Sequence, residues 1–154
     1  MRRGIKIGLT AATLCAFVVL NAGSAFADSV YHASHVELNP VSGASLRSGF
    51  VENIHANGPT VYAHEQYVLN GAAPNTTYQV VLMVFPGDPT CSSAPLTIPT
   101  ATIQTNAAGN GTAYHVFRPA DADGLRGTTV GEIWTVSAGG SPDYQTACET
   151  IVLD

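Results

Sequence analysis

Apolar positions along this chain come in short runs, most with a two-residue period, and each run ends at Gly, Pro or Asn. Strands joined by turns give that pattern; helices repeat every three to four residues. Residues 49–56 and 60–69 read as two strands joined at Asn57-Gly58, a dipeptide suited to a hairpin, with Pro59 directly after it. Residues 77–85 carry the most apolar run beyond residue 27, from Val80 to Phe85. Residues 97–105 and 112–117 form the next pair, turning through Asn110-Gly111. Residues 129–137, with Trp134, follow; Gly139-Gly140-Ser141-Pro142 breaks them off, and residues 144–153 close the pattern. Residues 28–40 start extended, and 41–48, 86–95 and 119–127 read as loops. The expected class is therefore all-β, an antiparallel β-sandwich of seven to eight strands. Tyr78, Val80, Leu82 and Val84 are expected to face its core, with Trp134 and Val136 opposite. Val81, Met83 and Phe85 then point from the other face of their strand. An apolar stripe there needs a cover, either residues 30–38 of the same chain or a partner such as a second copy.

The turn before residues 77–85 carries further information. Asn70-Gly71 lets the chain reverse, and Pro74 fixes φ and cannot donate to a ladder, so no central strand runs through it. The spacing Leu69…Pro74-x-Thr76-x-Tyr78-x-Val80 resembles the tyrosine corner of fibronectin type III and immunoglobulin-like sandwiches. Ala72-Ala73 stands where fibronectin-like corners usually carry a Leu before the Pro. The resemblance implies an immunoglobulin-like β-sandwich with a structural corner at Pro74 and Tyr78. There the Tyr opens a core strand and its hydroxyl bonds back to the preceding turn.

The first 27 residues differ in kind. Arg2, Arg3 and Lys6 give a basic start, 7–20 is apolar but short for a membrane span, and Ala25-Phe26-Ala27 is a small-x-small cleavage site. This is the pattern of a secretory signal peptide, 1–27, leaving a single β-sandwich domain, 28–154, that starts at Asp28. The expected location is secreted, extracellular or periplasmic, with no membrane insertion after cleavage. Beyond the leader, eleven acids face three basic residues, Arg47, Arg118 and Arg126, for a formal charge of −8. An acidic chain without a basic patch is a poor partner for nucleic acid or anionic membrane. Two cysteines remain after cleavage, Cys91 and Cys148. In an exported chain such a pair most simply forms one disulfide, with two free thiols as the alternative.

The motifs that would carry chemistry are incomplete. Five His invite a metal, yet His32 and His35 are three apart and point to opposite faces of a strand. A two-residue turn at Asn57-Gly58 puts His55 and His64 on one face but roughly 13 Å apart. Asp121-Ala122-Asp123-Gly124 fits a calcium loop in neither register, even with Glu132 as its last ligand. His64-Glu65 lacks the second His of a zinc protease, Ser45 lacks the closing Gly of a nucleophile elbow, and no His or Met follows Cys148 to make a copper site. No metal and no cofactor is expected. Asn75-Thr76-Thr77 and Asn110-Gly111-Thr112 match the glycosylation acceptor, and both lie at turns.

Two acids stand out. In the register set by a two-residue turn, Glu52 and Glu65 share a face with Phe50, Ile54, Ala63, Tyr67 and Leu69. They are then diagonal neighbours roughly 7 Å apart at the backbone. Carboxyl groups flanking a glycosidic bond need about 5–9 Å, so Glu52 and Glu65 are the candidates for a catalytic pair. The leading expectation is nevertheless a secreted, non-catalytic binding or structural module for an unknown protein or glycan, with self-association through Val81, Met83 and Phe85. The alternatives are a small secreted hydrolase using Glu52 and Glu65, or an inhibitor presenting loop 86–95 braced by Cys91. A face carrying Tyr62, His64 and Gln66 offers sugar contacts, without further support in the sequence.

Overall fold

The computed structural model describes residues 32–41, 43–56 and 58–153; the expected leader and the start at Asp28 lie outside them. The strands, in chain order, are β1 (His32–Glu37), β2 (Asn39–Pro40), β3 (Ser48–His55), β4 (Ala63–Asn70), β5 (Thr77–Pro86), β6 (Leu96–Gln104), β7 (Gly111–Phe117), β8 (Thr128–Ser137), β9 (Tyr144–Gln145) and β10 (Glu149–Leu153). A short 3-10 helix, Pro119–Ala122, links β7 to β8. The strands form two antiparallel sheets: one in the order β1-β3-β4-β7, the other β2-β9-β8-β5-β6 with β10 also paired to β8. Val36, Val51, Tyr67 and Leu69 of the first sheet and Tyr78, Val80, Leu82, Val130 and Trp134 of the second belong to one buried apolar cluster.

The long β8 is flanked on one side by β5 and on the other by two short strands in succession. Val136 pairs with Tyr144 of β9, and Glu132 with Glu149 of β10. Between them the buried Thr146 replaces a regular ladder pair: its hydroxyl accepts from the Trp134 N–H at 3.0 Å and its own N–H donates to the Trp134 carbonyl at 3.0 Å. The strand expected over 144–153 is therefore interrupted, and at the interruption Cys148 is joined to Cys91.

At the turn between β4 and β5 the Ala73 N–H donates to the Tyr78 hydroxyl at 3.2 Å. Thr105, buried at the end of β6, clamps the same turn by donating to the Ala73 carbonyl at 2.7 Å and accepting from the Thr76 N–H at 2.9 Å.

Four expectations are corrected. The pairing of β3 with β4 sets His55 opposite Ala63 and Asn53 opposite Glu65, three residues away from the two-residue-turn register. The connection is longer because Pro59 follows Gly58, whose N–H donates to the Val61 carbonyl, while the Tyr62 N–H is taken by the Phe117 carbonyl. An odd shift reverses the faces, so Val51, Asn53 and His55 point inward and Phe50, Glu52 and Ile54 outward. Second, β7 pairs with β4 and not with β6. The turn between β6 and β7 is pinned to the β4–β5 turn by Ala72 N–H to Gly109 carbonyl at 3.0 Å, which delivers the chain to the first sheet. Third, Trp134 and Val136 stand beside Leu82 and Val80 in the same sheet rather than across the core. Fourth, Val36 and Leu38 enter the core between the sheets and do not cover Val81, Met83 and Phe85.

Candidate functional site

The alternation of β1, β3, β4 and β7 places one polar row on the inner face of the first sheet. Ser34, Asn53, Glu65 and His115 stand in register across its four strands. Asn53 and Glu65 are each 1% exposed. From the second sheet comes Glu132 on β8, 4% exposed, with Glu149 opposite it on β10. The Asn53 amide reaches across the core and donates to Glu132 Oε2 at 3.4 Å. The Tyr67 hydroxyl donates to Glu65 Oε2.

Burial governs the acidity of this group. Desolvation pushes the Glu65 carboxyl up to about 7, against the hydrogen bond from Tyr67 and the nearby polar N–H of the Trp134 indole, which favour the ionised form; the indole N–H itself makes no hydrogen bond. Glu132 is raised well above the ordinary carboxylate range, first by burial, then by Glu65 and Glu149. Both acids line a cavity of about 50 Å³, together with His55, Phe117, Leu82, Leu125 and Asp121. That is room for a few water molecules and far below the roughly 300–1,000 Å³ of a substrate pocket. Wider grooves lie at the two open edges of the sandwich. One, about 520 Å³, includes His115, Phe117, Arg118 and Asp121; the other, about 270 Å³, includes His32, Asn53, His55 and Glu149.

The outer face of the same sheet carries a second row. His35, Glu52, Gln66 and Tyr114 are in register across β1, β3, β4 and β7. His35 Nδ1 lies 2.8 Å from Glu52 Oε2, and its ring packs on Phe50 at 4.4 Å. Tyr114 is 71% exposed, with the His64 ring against it at 5.9 Å. Glu52 and Glu65 thus lie on opposite faces of the sheet, and the expected carboxyl pair is not formed. His55 and His64 are likewise on opposite faces, inner and outer. Tyr62 is buried, its ring edge-on to His55 and under the Arg126 guanidinium at 5.0 Å, so it does not join His64 and Gln66 on a common surface.

The remaining candidates serve the architecture. The Asp121 carboxylate accepts the Arg118 N–H at 2.6 Å. Among the described residues no group of three or more His, Cys, Asp or Glu is arranged to hold a metal ion. In loop 86–95, Asp88 accepts from the N–H groups of Thr90, Ser92 and Ser93 and from two hydroxyls. These bonds hold its carboxyl well below the usual range. The Cys91–Cys148 bridge lies against Gly131 of β8, opposite which Phe85 is buried; Val81 and Met83 are half-buried. Asn110 accepts from the Gly71 N–H at 3.1 Å.

The sequence pattern does not single out Asn53, and it offers Glu132 and His115 only as metal ligands, not as members of this buried group. Glu132 is visible in principle: it alternates with Val130, Trp134 and Val136 and so shares their inner face. Asn53 and His115 need the tertiary register. Comparison with protein-family models, with curated proteins and with solved structures gives no match.

Proposed function

We propose that this chain is an exported, non-catalytic immunoglobulin-like module that binds a glycan on the outer face of its four-stranded sheet. The observation that carries the reading is the row His35, Glu52, Gln66 and Tyr114 across that face. An exposed phenol ring offers an apolar surface to the C–H face of a sugar, and the neighbouring amide and carboxylate offer donors and acceptors to its hydroxyls. The acids buried between the sheets border a cavity too small for a sugar ring, which disfavours a hydrolase.

Two further observations support the wider reading. Assigning β3, β4 and β7 to strands A, B and E, and β6, β5, β8 and β9/β10 to C′, C, F and G, gives an immunoglobulin-like strand order with β1 and β2 added. The disulfide suits an oxidising compartment, in keeping with the leader-like first 27 residues. No helix among the described residues is long and apolar enough to cross a membrane.

A glycan panel tested by calorimetry is the experiment. The expected result is binding without turnover, weakened about tenfold or more in Tyr114→Ala with unchanged thermal stability, a loss of the order of 1.4 kcal/mol. Absence of binding to every glycan, or binding indifferent to Tyr114, overturns the reading. Turnover abolished in both Glu65→Gln and Glu132→Gln establishes a hydrolase instead.

A further inference from the structure

We propose that Glu65 and Glu132 form a pH-sensitive latch between the two sheets, closed while the pair retains a proton and released when both acids ionise. The geometry is specific. Each sheet contributes one acid, both are at least 96% buried, and both border the same cavity. Their hydrogen-bond donors are neutral: the Asn53 amide to Glu132 and the Tyr67 hydroxyl to Glu65. None of the three arginines beyond the leader lines the cavity, and the sequence has no lysine after Lys6. Two carboxylates in one apolar interior cannot both be charged without a large desolvation and repulsion penalty.

The other titratable groups around the pair come from every neighbouring element. His55 on β3 lines the cavity, His115 on β7 stands opposite Glu65, and Asp121 of the 3-10 helix closes the β7 side. Glu149 on β10 stands opposite Glu132, and His32 on β1 shares the groove at that edge. Glu149 opposes ionisation of Glu132 further. The disulfide does not restrain the sheets from parting. It joins the β5–β6 connection to the β9–β10 connection, all within the second sheet.

The direction of the effect follows from linkage. A carboxyl held in its acid form by the fold binds a proton that the unfolded chain has already released. Stability is therefore complete below the ordinary carboxylate range and declines as pH rises towards and through about 7, the value to which Glu65 is pushed. The Glu65 displacement alone, from 4.5 to about 7, corresponds to roughly two to three orders of magnitude in the folding equilibrium constant.

The test is the melting temperature of the disulfide-bonded secreted protein between pH 4.5 and 9, with infrared spectra of the same samples. The expected result is a fall in Tm that sets in above about pH 4.5 and continues towards and through about pH 7, accompanied by loss of a carboxylic-acid C=O band that is still present at pH 6. Glu65→Gln, which keeps the shape and removes the charge, should flatten the fall, while His55→Gln and His115→Gln should leave it in place. A flat Tm profile in the wild type overturns the latch, as does a fall that persists unchanged in Glu65→Gln. If the Gln variant does not fold, the infrared band decides: a wild-type spectrum without a buried acid band at pH 6 overturns the latch, and one with the band lost in step with Tm supports it. Failure of glycan binding leaves this result untouched, since the latch lies inside the sandwich.

Discussion

The Tyr78 hydroxyl lies 3.2 Å from the Tyr144 hydroxyl, and each is committed to a different backbone. Tyr144 donates to the Ser45 carbonyl at 2.9 Å, and Tyr78 accepts from the Ala73 N–H at 3.2 Å. The proton between them must then belong to Tyr78, so the bonds run in one direction from the β4–β5 turn through both rings to the loop before β3. Both rings are almost fully buried, and burial holds the Tyr144 phenol well above its ordinary acidity range. Phe at position 78 keeps the packing but removes one donor and one acceptor from this chain. Tyr78→Phe is expected to lose about 1–2 kcal/mol in urea unfolding. Tyr144→Phe should lose a similar amount, and the double variant less than their sum, because the two share a bond.

Gly131 is the floor on which the disulfide rests. A Cβ there would come within 2.6 Å of Cys91 Sγ and 2.6 Å of the Asp88 carbonyl oxygen. Backbone on one side and a cross-link on the other cannot both yield, so Gly131→Ala is expected to destabilise the oxidised protein by roughly 1–3 kcal/mol. The penalty should shrink when Cys91 and Cys148 are both replaced by Ala. That replacement alone should cost roughly 4 kcal/mol for a closed loop of 57 residues. Thermal unfolding of the four proteins in a cycle measures the coupling.

The strands were legible because each is a short alternating run bounded by turn residues, and the bounds of β5 and β8 differ from the sequence reading by one residue. What the sequence concealed was register. Phe50, Glu52 and Ile54 look like a core face beside Ala63 and Tyr67, yet the inner face of β3 is Val51, Asn53 and His55. Local pattern favours the more apolar set; the longer connection through Pro59 selects the other, and the polar side chains it brings inward are accommodated by Glu132 from the facing sheet. The hairpin pattern points to Glu52 and Glu65, which are close in sequence. The two acids that border one cavity are Glu65 on β4 and Glu132 on β8, and neither the hairpin signal nor a motif links those strands.

The two glutamates of β3 and β4 should therefore behave as opposites. Glu52 is on the outer face, 2.8 Å from an exposed His35. Glu52→Gln is expected to change stability by less than about 0.5 kcal/mol. Glu65→Ala removes the acceptor of the buried Tyr67 hydroxyl and opens a void, and at pH 5 should cost roughly 2–4 kcal/mol. Urea unfolding of both variants at that pH checks the contrast; similar losses at the two positions would refute the register.

The turns of the sandwich are held together by a close approach that only glycine permits. Gly109 has φ +74°, and a Cβ on it would lie 2.0 Å from the Ala72 carbonyl oxygen and 3.0 Å from the Ala72 nitrogen. Its own carbonyl accepts the Ala72 N–H at 3.0 Å, so the turn cannot back away without breaking the bond that directs the chain to β7. Gly140 has nearly the same backbone, φ +77°, with nothing within 4 Å of a Cβ. Alanine at 140 should therefore show only the strain of the left-handed conformation, about 1–2 kcal/mol. Alanine at 109 adds the collision to that strain and is expected to cost at least about 3 kcal/mol. Comparing the two variants by chemical unfolding isolates the approach, because the backbone term cancels. Equal losses at the two positions would mean that the β4–β5 and β6–β7 turns are not in contact in solution.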